Sequence, residues 1–433
     1  MALAIARVSL LAGMAAATYA QEDPENLLLR VRERVLNTVD RLPGYMCTQT
    51  IDRTVSVPVK KVAERACDQA GAARNMKLSY SDRLRLDVAA VTAGEIYSWV
   101  AENRFDDRSL LDLVKDGSIS TGEFESFLAS VFRNEGTTFS YRGDTSENGR
   151  RFAEYGFRVS LDKSRYFFGR PPNRVLTAYY GALLADAKTA DIVRMTVRTD
   201  ELPAETGACD STTTLEYGRT RLRNADFLLP TEARLHTCGR DGVEADNRTR
   251  FSGCQQFLGE STLEFGPPRE SGSAPGRRGN VPALSVPQGL RFRVALAEDI
   301  DAAKAAAGDP ISARLVTAIE DDAHNRLVDV GTRVNGRILQ VRYDYTIPAL
   351  TVLYQLETIE IDGVRRPFTA VTHTTVPPLD ARKRALRQTL ELGTLPDVLQ
   401  RRGVARLRFS GAKPNYVVKS GLESNWLTGT GER

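Results

Sequence analysis

The stretch DRLRLDVAAVTAGEIYSW, residues 82–99, decides the fold. In Arg83-Leu84-Arg85-Leu86-Asp87-Val88 the apolar side chains alternate with charged ones, the period of two that marks a strand with one wet face. Thr92-Ala93-Gly94 reads as a turn, and Glu95-Ile96-Tyr97-Ser98-Trp99 as the partner strand. Downstream the same pattern recurs over 137–143, 150–160, 174–184, 190–199, 211–221, 226–238 and 247–265, each run bounded by Gly, Asn, Asp or Pro. Short, regular strands with polar turns and little helix predict a mainly β fold with some α, built on an antiparallel sheet that is strongly curved or partly closed.

Helical spacing is confined to a few places. Leu27, Leu28, Val31, Val35 and Val39 follow Asp23-Pro24 and are stopped by Pro43-Gly44. Ser109 caps a short helix carrying Leu110, Leu111, Leu113 and Val114. Ser120-Thr121-Gly122-Glu123 reads as a capping box for another, whose stripe is Phe124, Phe127, Leu128, Val131 and Phe132.

The chain divides by composition. Residues 1–20 read as a signal peptide: Arg7, an apolar run from Val8 to Ala17, then small residues ending at Ala20. The apolar run is about half of the roughly 20 residues a membrane span needs. Gly266 to Gly289 holds five Pro and five Gly without a hydrophobic period, and reads as a linker. The expected domains are therefore 21–265, half-barrel-like, and 290–433, a small β-barrel or sandwich-like unit. The second is built from 291–296, 311–316, 333–343, 349–361, the Asp362-Gly363 turn, and strands at 404–410 and 415–419. A more helical run lies at 380–402.

Hydrophobic content of 42%, charged content of 26% and a net charge of +4 describe a globular chain without the basic excess of a nucleic-acid binder. After the leader no window approaches a membrane span, so no integral segment is expected in the mature chain. The five cysteines, in a chain with a secretory leader, are expected to pair. Hairpin bracketing suggests Cys47–Cys67 and Cys209–Cys254, with Cys209–Cys238 as the fallback and Cys238 otherwise left over. No Cys-x-x-Cys or Cys/His cluster at ligand spacing occurs, so no metal is expected.

The run DRLRLDVAAVTAGEIYSW, followed by GEFESFLASVF, TAYYGALLADAKTADIVRMTVRT and TTTLEYGRTRLRNADFLLPTEARLHTC, resembles a group of uncharacterised secreted proteins from soil bacteria. More distantly, residues 76–265 resemble the half-barrel of periplasmic lipoprotein carriers. That resemblance implies a bent antiparallel sheet wrapped around short helices and enclosing an apolar cavity. Residues 307–338 resemble the small β-domains of type IV secretion scaffolds, with Gly331 and Gly336 at the expected turn and Val330 where Pro is usual.

Signatures of chemistry are missing: no G-x-S-x-G, H-E-x-x-H, P-loop or S-x-x-K with partners. His236 reads as a strand residue, His373 as an edge or loop residue. His324, in Glu320-Asp321-Asp322-Ala323-His324-Asn325, reads as a solvated turn rather than a cation site. Asp106-Asp107 is no better a carboxylate pair than any other. The basic run 382–408 reads as a solvated helix face, with contact to anionic envelope polymers or phospholipid headgroups as the sharper alternative.

These residues predict a secreted or periplasmic, non-enzymatic binding protein of the cell envelope with no cofactor, its partners being a lipid or other apolar ligand and envelope components, not nucleic acid. The ligand-pocket candidates are Phe124, Phe127, Leu128, Phe132 and Trp99. Ordinary helix packing is the competing account of the Phe stripe. The alternatives in function are an envelope scaffold without a small ligand and, third, a hydrolase of envelope polymers.

Overall fold

Asp23 opens the longest helix among the described residues. Its carboxylate accepts from the Glu25 amide, and Pro24 takes the first helical position, where no N–H is needed. This helix, α1 (Pro24–Arg41), buries Leu27, Val31 and Val35, one residue per turn. The structure, a computed structural model, describes residues 23–59, 67, 75–91, 94–102, 105, 109–122, 126–256, 284, 286–372 and 403–429. The signal peptide, Asp106-Asp107, Phe124, most of the linker, His373 and residues 380–402 lie outside them.

The N-terminal part is β1 (Tyr45–Pro58), β2 (Met76–Val91), β3 (Gly94–Trp99), α2 (Leu110–Leu113), α3 (Ser126–Arg133), β4 (Thr137–Glu147), β5 (Arg150–Val159), β6 (Phe167–Phe168), β7 (Val175–Leu176), β8 (Tyr179–Asp186), β9 (Ile192–Thr199), β10 (Ala208–Leu222), β11 (Ala225–Gly239) and β12 (Glu244–Gln256). Ser109 caps α2 as expected, and its capping box closes through Asp112. The sheet order is β4-β5-β8-β9-β10-β11-β12-β1-β2-β3, antiparallel throughout. The sheet is open, with β4 at one edge and β3 at the other, and β6–β7 form a separate small hairpin. Its core has two parts. α1 and α3 pack on β5, β8, β9 and β10 through Val31, Phe127, Val131, Phe132, Tyr155, Phe157, Leu183 and Met195. α2 packs with β1–β3 around Leu86, Val88, Tyr97 and Trp99.

The C-terminal part is β13 (Arg291–Leu296), β14 (Ile300–Asp301), β15 (Pro310–Leu315), β16 (Ile319–Glu320), β17 (Arg326–Val328), β18 (Arg333–Asp344), β19 (Ala349–Ile361), β20 (Val364–Pro367), β21 (Ala370–Thr372), β22 (Ala405–Ser410), β23 (Val417–Val418) and β24 (Glu423–Thr428). Pairing runs β22-β19-β18-β15-β13-β24-β21. β20 pairs with β19, so the run 364–372 passes from β19 to β24 and the sheet curls around its own core of Phe292, Val294, Val352, Tyr354 and Trp426.

The two parts share backbone ladders. Arg342–Asp344 of β18 pairs with Tyr80–Asp82 of β2. Arg85 donates its amide to Ala307 (2.7 Å), and Ala307 donates to Arg83 (2.8 Å). Gly308 lies against this seam with φ +104°; a Cβ there would stand 2.1 Å from the Arg85 carbonyl oxygen and 2.7 Å from Trp99 Cε3.

The disulfide pairing read from the sequence is corrected. The same four cysteines are bonded, but as Cys47–Cys254, with Cα atoms 4.1 Å apart, and Cys67–Cys209, 5.3 Å apart. The cause is sheet order: β1 lies between β2 and β12, and at the bulge after Met46 Cys47 meets Cys254 on its far neighbour. Cys238 is buried and outside both bridges, its Sγ 3.8 Å from the Gly239 carbonyl oxygen.

Candidate functional site

Between the concave face of the N-terminal sheet and the segments that cross it lies a half-open cleft of about 1390 Å³. Its sheet wall is the inward row of Val55, Ser211, Leu235, Thr237 and Ala245. One lip is the strap 109–122, which carries Leu110, Leu111 and Ile119. The other is the hairpin of β6 and β7, with Tyr166, Phe168 and Arg170. Phe127, Ser130 and Tyr179 close the end nearest α3. There Tyr166 sits between Phe127 and Tyr179, ring centroids 5.6 and 5.7 Å apart. The Tyr179 hydroxyl reaches Ser130 Oγ at 3.5 Å, and burial raises its pKa.

The strap has only one turn of helix, so side chains from elsewhere hold its backbone. Arg53 donates to the carbonyl oxygens of Asp116 (2.6 Å) and Ser118 (3.4 Å) while its other nitrogens bind Asp82. Burial opposes charge on Arg53, but the Asp82 carboxylate outweighs it and the pKa stands above the ordinary value. Asn247 donates to Ser118 (2.9 Å), and the Gly122 amide donates to Glu95 (2.8 Å), which also accepts from the Tyr97 hydroxyl. Gly117 passes so close that a Cβ would stand 2.8 Å from Arg53 Nη1. Arg170 latches the lips together, donating to the carbonyls of Leu111 and Gly117, each at 3.2 Å. Burial, then the Arg53 charge, lowers its pKa.

The predicted pocket residues separate. Phe127 lines the cleft. Phe132 is enclosed, 1% exposed and stacked on Phe139 at 5.5 Å. Leu128 borders a crevice between α1, α3 and β11, apart from the cleft. Trp99 packs under β2 and against Gly308, at the seam with the C-terminal part. Phe124 is outside the described residues. The residues missed in the sequence, Tyr166, Phe168 and Arg170 with Ile119, come from 114–122 and 161–173, which carry no hydrophobic period; the run Tyr166-Phe167-Phe168-Gly169 was the available signal.

The histidines stand elsewhere. His236 faces Asp246 at 2.8 Å, and that hydrogen bond raises its pKa. His324 has φ +64° in a turn whose Asp321 carboxylate accepts from the Ala323 and Asn325 amides, which is the solvated turn expected from the sequence. Among the described residues no group of three or more His, Cys, Asp or Glu is placed to hold a metal ion. Nor is any described helix long and apolar enough to cross a membrane.

No protein-family model and no curated protein matches the chain. Among solved structures it is similar to a LolA superfamily protein from Nitrosomonas europaea, at 8% identity and a TM-score of 0.28, covering 54% of this chain and 93% of that one. It is also similar to a Vibrio parahaemolyticus domain described as an outer membrane lipoprotein-sorting protein, at 10% identity and a TM-score of 0.27, covering 55% and 94%. At these scores the likeness assigns neither ligand nor partner. The resemblance of residues 307–338 to secretion-scaffold domains gains no support from these structures.

Proposed function

We propose that the chain is a non-enzymatic, extracytoplasmic binding protein that holds an apolar ligand between the sheet, the strap and the β6–β7 hairpin. The observation that carries this is the cleft itself. Its volume of about 1390 Å³ exceeds the roughly 300–1,000 Å³ of ordinary small-molecule sites, and Leu110, Ile119, Phe127, Tyr166, Phe168 and Leu235 stand on its wall. An ordinary core of this area would close at close-packed density. Neither described histidine lines the cleft, and its two wall carboxylates are engaged, Glu95 with the Gly122 amide and the Tyr97 hydroxyl and Asp112 with Ser109, which favours binding over catalysis. Two disulfides fit an oxidising compartment.

Native mass spectrometry of protein purified from its own host tests the reading directly. The expected spectrum shows a population heavier than the chain by one lipid-sized mass, lost on organic extraction. Bare chain in every preparation, together with no displacement of a fluorescent fatty acid, overturns it and leaves the envelope scaffold in its place.

A further inference from the structure

The charged side chains on the cleft wall are Glu95, Asp112, Arg165, Arg170 and Arg174. Three are already committed. Glu95 accepts from Gly122 and Tyr97, Asp112 accepts from Ser109 (2.7 Å) and faces Lys115 (3.4 Å), and Arg170 is spent on two strap carbonyls. The other two are not. Arg165 has no acceptor among the described residues. Arg174 lies over the Phe167 ring, 4.4 Å from Cζ to centroid, a contact that uses the face of the guanidinium and leaves its N–H edge open. Both are solvent-exposed and both line the cleft, Arg165 two residues before β6 and Arg174 directly before β7.

We propose that the ligand is an anionic amphiphile, its apolar chain in the cleft and its carboxylate or phosphate head held by Arg165 and Arg174. The inference rests on the cleft being a ligand site. A guanidinium presents paired donors that match a carboxylate or phosphate, and charge-assisted bonds of this kind are about twice as strong as neutral ones. With the acids on the wall engaged, the uncommitted charge at the mouth is positive, so a neutral or cationic head of the same chain length lacks the complementary partner.

The test is competition for a bound fluorescent fatty acid by four compounds of one chain length: hexadecanoic acid, hexadecyl phosphate, hexadecanol and hexadecyltrimethylammonium. The acid, the phosphate or both are expected to displace the probe at a concentration lower by about tenfold or more than the alcohol, with the cation weakest. Which anion wins separates a fatty-acid from a phospholipid-like source. The doubly substituted Arg165→Gln, Arg174→Gln protein is expected to lose that preference while binding the alcohol as before. Equal displacement by acid, alcohol and cation, or a preference that survives both substitutions, overturns the head-group assignment and leaves the cleft as a general apolar site. No displacement by any of the four overturns the cleft reading itself.

Discussion

Arg53 and Asp82 stand directly opposite one another on β1 and β2, joined by two N–H···O bonds of 2.7 Å, with 6% and 4% of their side chains accessible. The pair is doubly engaged, because the same guanidinium holds the strap carbonyls of Asp116 and Ser118. Asp82→Ala is expected to cost about 3–5 kcal/mol, since it strands a buried cation rather than removing a bond. Replacing both partners by apolar residues is expected to cost less in stability, yet to free the strap. Chemical denaturation gives the first quantity, and amide exchange at 116–118 gives the second. A double-variant loss equal to the sum of the two single-variant losses would show that the pair is not coupled.

Peptide mapping without reduction should recover Cys47 linked to Cys254 and Cys67 linked to Cys209. The first bridge closes a loop of 207 residues and fastens β1 to β12, so Cys47→Ser with Cys254→Ser is expected to cost about 2–5 kcal/mol. A recovered Cys47–Cys67 peptide would contradict the strand order β12-β1-β2.

What the sequence displayed and what it hid follow from the range of the interactions. α1 and the strands β5, β8, β9 and β11 were legible because their buried faces are largely apolar at a regular period, as in Leu27, Val31 and Val35. β24 was not: its buried face is Ser424, Trp426 and Thr428, and two polar residues conceal the alternation. Those hydroxyls are satisfied by partners far along the chain, Ser424 by Tyr354 (2.7 Å) and Thr428 by Pro287 (2.6 Å). Disulfide partners were illegible for the same reason, since β1 meets β12 across some two hundred residues. Of the site, Phe127 was found through its helical stripe. Trp99 was recognised as strand, but the C-terminal part sets which space it faces. The two lips are non-periodic segments positioned by Arg53, Arg170 and Asn247.

Asp186, the last residue of β8, offers a pH test. Burial raises its pKa, but hydrogen bonds from the Thr189 amide (2.9 Å), Arg150 (2.6 Å) and the Lys188 amide (2.9 Å) outweigh that and hold it below the ordinary value. A depressed native pKa contributes stability that is present above the unfolded value and lost as pH falls through the folded one. Asp186→Asn keeps an acceptor for the two amides but not the charge facing Arg150. It is expected to cost about 1–2 kcal/mol at neutral pH, with the gap to wild type closing on the acid side of the usual carboxylate range. Thermal unfolding across pH measures this; a gap constant with pH would mean the charge is immaterial.

Gly308→Ala tests the seam between the two parts. The new methyl would meet the Arg85 carbonyl and the Trp99 ring, at a positive φ that L side chains rarely adopt. Overpacking alone costs about 1–3 kcal/mol. The neighbouring ion pair of Arg85 with Asp309 and the bonds from Arg337 to Val100 (3.0 Å) and Gly308 (2.7 Å) would loosen with it. The expected outcome is a lower melting temperature and two resolved transitions by calorimetry, as each core unfolds by itself. A single unshifted transition would show that the seam adapts without cost.

Phe127 and Phe132 lie on the same helix and are expected to respond differently to truncation. Phe132 is enclosed by Phe139 and the β5 strand, so Phe132→Ala should cost about 3–5 kcal/mol and leave the ligand affinity of the folded fraction unchanged. Phe127 is 5% exposed and has the cleft on one side, with Tyr166 as its aromatic neighbour. With fewer protein atoms to lose contact with, Phe127→Ala should cost less in stability and more in binding, because the ring forms part of the surface a ligand would cover. Thermal unfolding paired with displacement of a fluorescent fatty acid reads both effects on both variants. Equal stability losses with no change in binding would mean Phe127 only packs α3 against the sheet, and that the ligand, if held, is held by the strap and the hairpin.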